Sequence, residues 1–193
     1  MPGRRKKWIG QRILEVLGSS PHRVTRIGER KADRLPLTLE ISFSTGQRRS
    51  FDLYFWTISH GGASRSAEEF RIQVKFPQDG QQLRRTGGTV LLLGYYNSAD
   101  SGPHAGVPWS NGEAFVAWDP LMHLRVGKSA SCQVNYPVLK AALLMGVGVQ
   151  RRRCSMGIET VFAMRSERLP AYMRLARAGH NAVAVEELRN SLE

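Results

Sequence analysis

The sequence predicts an α+β fold, mainly antiparallel β, whose strands curl into an open pseudobarrel with short helices at its ends. About seven or eight segments have the apolar patterning of strands. Most of these strands follow one another without a helical crossover, which is typical of antiparallel sheets. The helical stretches are few and short, whereas a doubly wound α/β fold would need strands and helices to alternate.

Length and charge limit the function. The chain has 193 residues, of which 41% are apolar, so it can bury a core as one domain with a small appendage. Lys and Arg number 28 against 16 Asp and Glu, a formal net charge of +12. This excess argues against an acidic enzyme surface for cationic substrates and favours a polyanionic partner, either nucleic acid or an anionic membrane.

The cysteine and histidine pattern predicts neither a disulfide framework nor a metal centre. The chain has two cysteines and no CxxC, and its five histidines lack metal-ligand spacing. Gln11, Arg12 and Glu15 interrupt the apolar stretch near the N-terminus, which excludes a signal peptide or a membrane span there. We therefore expect a soluble protein of a reducing cytoplasm, without a cofactor and without a membrane partner.

The N-terminal segment is predicted to be a basic arm containing one helix. Helical spacing predicts a helix over about residues 7–17, ended by Gly18; the apolar residues that carry it are Ile9, Ile13, Val16 and Leu17. The first 34 residues hold ten Lys and Arg against three Asp and Glu, more than half of the total charge excess. We therefore divide the chain into an arm, residues 1–34, and a β-rich domain, residues 35–193.

Strands then follow in order. Alternation of apolar and polar residues predicts a strand from Leu37, and the Thr45-Gly46-Gln47 turn joins it to a returning strand. The clearest alternation puts Phe70, Ile72, Val74 and Phe76 on one face and only polar residues on the other. The strands predicted in this half cover residues 37–43, 51–58, 70–76 and 89–95.

The C-terminal half mixes strands with helices. Gly, Pro, Asn and Ser make residues 97–113 a long predicted surface loop, and residues 121–131 a second loop. Asn135 is a suitable N-cap and Gly146 a suitable end for a helix between them. Strands are predicted over 114–118, 132–134, 147–154 and 160–164, and helices over 136–145, 169–178 and the tail 183–193.

Clustered basic groups make polyanion binding the best supported function. Basic runs occur at 4–7, 23–34, 48–49, 84–85 and 151–153, and the strands and loops between them carry donors suited to phosphates and base edges. The side chains expected to contact DNA are His60, Arg65, Arg71, Gln73, Lys75, Lys128, Ser129, Ser131, Gln133, Arg151, Arg152 and Arg153. Tyr95, Trp118 and Tyr136 fall near these loops, where aromatic rings can wall a base pocket; core positions at strand ends explain them equally well.

Three other functions have weaker support. Asp52 followed by Gln73 and Lys75 fits a variant PD-(D/E)xK nuclease that holds Mg²⁺, although the same residues fit the polar face of a strand. A hydrolase using the serines near His123 lacks a GxSxG elbow. An RNA-binding or ribosome-associated protein remains open, although the chain has neither an RNP aromatic motif nor a KH-type GxxG.

Five runs of the chain resemble the DNA-recognition domains of bacterial modification-dependent restriction endonucleases. The runs are YFWTISHGG (54–62), RSAEEFRIQ (65–73), LLLGY (91–95), FVAWD (115–119) and GKSASCQV (127–134). The resemblance covers roughly residues 35–178. It is strongest to the sulfur-binding domain that is joined to an HNH nuclease in enzymes sensing phosphorothioate DNA.

This resemblance implies a compact pseudobarrel that docks on duplex DNA and accepts a modification in a small apolar pocket edged by basic groups. The pocket walls would be Tyr136 and Pro137, with Tyr95 and Trp118 nearby. No HNH motif follows the domain in this sequence. We therefore expect a recognition domain of a restriction or defence system that is not itself catalytic and reads phosphorothioate or methylated DNA. Its nuclease would be either a separate partner that the domain recruits or a fused domain that this sequence lacks.

Overall fold

The fold was analysed in a computed structural model that describes most of the chain. The described residues are 2–21, 23–26, 35–60, 65–75, 88–100, 112–123, 129–154 and 156–176. The predicted tail helix, most of the 97–113 loop, and the basic groups Arg84, Arg85 and Lys128 lie outside these ranges.

Ten strands and four α-helices lie in the described part of the chain. The helices are α1 (Pro2–Gly18), α2 (Pro120–His123), α3 (Tyr136–Met145) and α4 (Leu169–Leu175). The strands are β1 (Arg23–Arg26), β2 (Leu37–Ser42), β3 (Arg48–Thr57), β4 (Ser59–His60), β5 (Glu69–Lys75), β6 (Thr89–Asn97), β7 (Glu113–Trp118), β8 (Ser129–Asn135), β9 (Val147–Cys154) and β10 (Gly157–Arg165). No helix within the described ranges is long and apolar enough to cross a membrane.

The strands form two open sheets. The large sheet has seven strands in the order β1-β2-β3-β6-β7-β10-β9, and the small sheet has three in the order β4-β5-β8. All pairings are antiparallel except that of β3 with β6. Between β3 and β6 the chain forms β4 and β5, which belong to the small sheet. The predicted α+β class with mainly antiparallel strands is confirmed, and the sheets do not close into a barrel.

Two apolar layers lie on opposite faces of the large sheet. One face of β6 buries Leu93 and Tyr95 in a cluster with α1 and α4, and the other buries Leu92 and Tyr96 in a cluster with the small sheet and α3. This separation follows from the two-residue alternation of a strand. It means that neighbouring residues of one strand reach different surfaces of the protein.

Several elements differ from the predictions, among them the short helix α2, which begins the predicted 121–131 loop, and the two-residue strand β4 after the predicted 51–58 strand. Helix α1 is longer than predicted, and its apolar stripe is buried in the core because it covers one face of the large sheet. Strand β1 was not predicted, since Arg23–Arg26 has no strong apolar alternation, yet it pairs with β2 along its whole length. Strand β8 covers Ser129–Asn135 rather than three residues, because β5 pairs with every one of its positions.

Both cysteines are free thiols with different exposure. Cys132 is buried and Cys154 is half-buried. Burial raises the pKa of the Cys132 thiol above its ordinary value, and the negative charge of Glu159 adds to this shift. A raised pKa keeps the thiol protonated, and the thiolate is the form that reacts.

A thiol-specific disulfide reagent should therefore modify Cys154 alone in the native protein at neutral pH. After unfolding in guanidinium chloride, both cysteines should react, which an absorbance assay of the released thiol measures. Loss of native labelling in a Cys154→Ser variant is the matched control. Rapid native labelling of Cys132 in that variant would contradict the burial of this residue.

Candidate nucleic-acid interface

The outer face of the small sheet carries a polar array. Strand β5 pairs with β8 so that Arg71 lies opposite Gln133, and Gln73 lies opposite Ser131. The alternate residues of both strands are buried against the large sheet; they are Phe70, Ile72, Val74, Cys132 and Val134. Because side chains alternate along a strand, burial of these five residues turns the four polar side chains outward.

Glu69 positions two of the predicted DNA-contacting residues. Its Oε1 accepts a hydrogen bond from Gln133 Nε2 at 3.0 Å and an ion-paired hydrogen bond from Arg65 at 2.5 Å. An exposed ion pair of this kind contributes only about 0–1 kcal/mol of stability. Its consequence is mainly geometric, since it places the Arg65 guanidinium beside the outer face.

His60 and Ser131 are placed differently from the exposed side chains of the array. His60 lies directly opposite the inward-facing Phe70 and therefore projects to the other face of the small sheet. The Nε2 of His60 lies 3.0 Å from the carbonyl oxygen of Ser66, and its ring packs edge-on against Phe70. The hydroxyl of Ser131 is buried and makes no hydrogen bond within the described ranges. For Lys75 and Ser129 the structure gives the backbone position alone, next to each other across the same pair of strands.

Hydrogen bonds from side chains join the small sheet to the large sheet at the β9–β10 hairpin. The carbonyl oxygen of Gln133 accepts hydrogen bonds from Trp118 Nε1 and from the Arg152 guanidinium, both at 3.0 Å. Nearby, the backbone N–H of Asn135 donates to the Gln150 side chain at 3.0 Å. Side chains of edge strand β9 therefore satisfy backbone groups on the open edge of β8 and fix the hairpin beside the polar array.

Arg152 also lies near a buried carboxylate, that of Glu159. Glu159 is 0% exposed, accepts a 2.6 Å hydrogen bond from His123 Nε2, and lies 3.9 Å from Arg152 Nε. A buried charge requires partners because its desolvation costs several kcal/mol. His123 supplies a hydrogen bond to Oε1, and Arg152 supplies a positive charge near Oε2, which makes no hydrogen bond within the described ranges.

The hairpin also presents two exposed arginines. Arg151 and Arg153 are exposed, and strand alternation turns them to the opposite face from Arg152. They lie opposite Thr160 and Ile158 on β10. The structure thus brings the predicted residues on β5 and β8 together with Arg152, whereas Arg151 and Arg153 project from the opposite face of the large sheet, the face that α1 and α4 cover. Lys128 lies outside the described residues.

One predicted basic cluster has a structural role instead. The Arg49 guanidinium donates to the carbonyl oxygens of Met173, Arg174 and Ala176 at the end of α4 and to the Thr89 hydroxyl. It also lies over the Phe51 ring. These bonds satisfy carbonyls that a helix leaves unpaired at its C-terminus.

The four residues predicted to line a modification pocket are not brought together. Tyr95 packs on the α1 side of the large sheet, where its ring meets Trp8. Trp118 and Tyr136 are buried on the opposite face, towards the small sheet, and Pro137 is exposed in the first turn of α3. The sequence also allowed core positions for Tyr95 and Trp118, and both residues are buried in the core.

The residues of the nuclease hypothesis are also separated. Asp52 is buried in the large sheet and accepts a 2.7 Å hydrogen bond from the Thr38 hydroxyl. By strand alternation it faces the layer between the sheets, whereas Gln73 is exposed on the far side of the small sheet. Among the described residues, no three His, Cys, Asp or Glu side chains are grouped so that they could hold a metal ion.

An open polar pocket of about 310 Å³ lies away from this array, near the end of β10. Its charged groups are paired with each other: Arg12 with Glu113 at 2.6 Å, and Arg165 with Glu167 at 2.7 Å. None of the predicted site residues lines it. These two ion pairs leave the lining of the pocket close to neutral in charge, whereas the β9–β10 hairpin carries three consecutive arginines.

The sequence missed three parts of the arrangement: the Glu69 contact, the His123–Glu159–Arg152 network, and the apolar tip of the hairpin. Glu69 is one of the polar residues that alternate along β5, so its contacts are not marked in the sequence. Glu159 precedes the continuous apolar run 161–164, whose lack of alternation leaves the face of Glu159 undetermined.

Comparison with known proteins gives one family match. A family described as methylase-associated X1 matches residues 49–173, which span every element from β3 to most of α4. No curated protein matches the chain, and no solved structure does. The predicted link to modification and restriction systems agrees with this family, but the match does not support the narrower resemblance to sulfur-binding domains.

Proposed function

Because the chain belongs to the methylase-associated X1 family, we propose that it is a duplex-DNA-recognition domain of a restriction or modification system. In this role it selects the DNA on which a partner enzyme, a methylase or a nuclease, then acts. The family supports the link to a restriction or modification system, and the chemistry of the exposed polar surfaces supports duplex DNA as the ligand.

The junction at the Gln133 carbonyl is the observation that carries the proposal. It joins a sheet face with exposed guanidinium and amide groups to Arg152 of the hairpin, whose neighbours Arg151 and Arg153 project from the other face of the large sheet. Amide and guanidinium groups can form paired hydrogen bonds with base edges, and arginines bind phosphates. The polar face therefore suits base readout, and the hairpin suits backbone binding.

A preference for modified DNA is the finer part of the proposal. Phosphorothioate and methylated cytosine are the two modifications that the sequence suggests. Since Tyr95 lies on the opposite face of the large sheet from Trp118 and Tyr136, and all three are buried, we propose that a modified group contacts the outer face of the small sheet near Arg71 and Gln73.

Fluorescence anisotropy with four labelled ligands tests the function. Three are short duplexes of one sequence, which are unmodified, phosphorothioated or cytosine-methylated, and the fourth is a structured RNA of equal length. Specific recognition should give a gap of about 10³ or more between one duplex and the others. Tighter binding to the RNA at equal salt, or no salt-sensitive binding to any duplex, would overturn the proposal.

Replacing Arg153 with alanine should weaken binding to every duplex by a similar factor. It removes one phosphate contact, so the slope of log affinity against log salt should fall by about 1. Anisotropy titrations at several salt concentrations measure both effects.

Arg165→Ala is the matched control, because it removes an equal charge from an exposed arginine at the far end of the same hairpin. Its salt slope should stay within error of the wild-type slope. Equal slopes for the two variants would show that only net charge matters and would remove the hairpin from the interface.

A further inference from the structure

The tip of the β9–β10 hairpin exposes two large apolar side chains. Met156, in the turn, is 63% exposed, and Ile158, the second residue of β10, is 59% exposed. Further along β10 the apolar residues Val161, Phe162 and Met164 are buried. The apolar character at the tip therefore does not serve the core.

Arginines flank this tip on the same surface. Ile158 lies directly opposite Arg153, and the next outward pair is Thr160 with Arg151. Directly opposed residues in an antiparallel pair project to the same face, with Cβ atoms about 5 Å apart. The one acid of the hairpin, Glu159, points to the other face and is buried. The outward surface thus combines aliphatic groups with positive charge that no acidic residue of the hairpin opposes.

We propose that Met156 and Ile158 form a wedge that enters the DNA minor groove and partly unstacks a base step, while Arg151 and Arg153 bind the flanking backbone. The inference rests on the proposed DNA-binding function and adds a deformation of the duplex. Proteins that kink DNA from the minor groove insert Met, Ile, Leu or Phe between bases, and arginines favour a narrow minor groove. Charge complementarity selects DNA over an apolar protein surface as the occupant.

The hairpin is well placed for this role. β9 is the edge strand of the large sheet, and the Arg152 contacts with Gln133 and Glu159 fix it to the small sheet. A wedge must be held rigidly, because unstacking a step costs a few kcal/mol that the remaining contacts have to offset. Arg151 and Arg153, which project from the same face as Ile158, would provide those contacts beside the tip.

The test compares a tip variant with a matched control. The tip variant is Met156→Ser with Ile158→Ser. The control is Leu144→Ser with Met145→Ser, which removes two apolar side chains of similar exposure, 54% and 64%, from α3. Thermal melting by circular dichroism establishes that both variants are folded.

Two readouts follow the DNA itself. Energy transfer between dyes at the two ends of a duplex reports bending, and 2-aminopurine at successive positions reports unstacking. Wild type and control should raise both signals on binding. The tip variant should bind about tenfold more weakly and lose the 2-aminopurine signal, since the interaction lost is on the scale of 1.4 kcal/mol or more.

Each contrary result has a distinct meaning. Duplex binding by wild type without bending or unstacking overturns the wedge and leaves the recognition function standing. Equal bending by the tip variant does the same. Unchanged duplex binding together with lost binding to vesicles of anionic phospholipid would assign the tip to a lipid surface. No duplex binding by wild type would overturn the recognition function and the wedge together.

Discussion

Replacing Trp118 with alanine should lower the free energy of unfolding by about 3–5 kcal/mol. The ring is fully buried between the two sheets, and its indole N–H donates to the Gln133 carbonyl at 3.0 Å. Truncation removes this bond and leaves a cavity that the surrounding strands cannot fill. Urea denaturation followed by far-ultraviolet circular dichroism measures the loss without relying on tryptophan fluorescence.

Trp8→Ala is the matched control for this substitution. Trp8 is 48% exposed and contacts the core through an edge-on packing with Tyr95, at 4.8 Å between ring centroids. Its loss should cost less than about 2 kcal/mol, because an aromatic pair contributes about 0.5–1.5 kcal/mol and little area becomes exposed. Similar losses for the two tryptophans would contradict the buried position of Trp118.

Replacing His123 with alanine should cost about 3–5 kcal/mol, since it removes the closest partner of a fully buried carboxylate. Glu159 would then keep only the 3.9 Å approach of Arg152. In a double-mutant cycle, His123→Ala and Glu159→Ala together should cost less than the sum of the single losses, by about 1–3 kcal/mol. Chemical denaturation of all four proteins provides the cycle.

The exposed pair Arg165 and Glu167 gives the comparison. Their groups lie 2.7 Å apart with about half of each side chain in solvent. A cycle on this pair should show a coupling of about 1 kcal/mol or less. Additive losses at His123 and Glu159 would mean that the buried pair does not act as a unit.

Local patterning predicted most of the fold because most strands bury one face. Strand β5 shows this well: its two-residue alternation assigned Phe70, Ile72 and Val74 to the core, where they lie. Local patterning does not predict which strands pair, because pairing depends on contacts between segments that are distant in the sequence. Nothing near residues 129–131 predicts a strand, and β8 forms there because β5 supplies its hydrogen bonds.

The candidate site was predicted less completely for the same reason. The residue types on β5, β8 and β9 were identified from charge and polarity, but the fold brings only Arg152 of β9 to the small sheet and turns Arg151 and Arg153 to the opposite face of the large sheet. Tyr95 and Trp118 were grouped because both fall near loops. In the structure Trp118 lies opposite Leu92, which is three residues from Tyr95 on β6 and therefore faces the other way, so the two rings lie on different faces of one sheet. Likewise Arg49 looked like a surface charge, but its partners at the end of α4 lie far along the chain.

The pairing of Ile72 with Cys132 also sets the order in which the polar array can appear during synthesis. Chains emerge N-terminus first and domains fold as units. Strand β5 leaves the ribosome well before β8, and Arg152 follows later still. A nascent or prematurely terminated chain that stops before β8 therefore has the basic N-terminal helix but no assembled polar array. Under the proposed function, duplex recognition therefore requires a chain whose synthesis has passed β8.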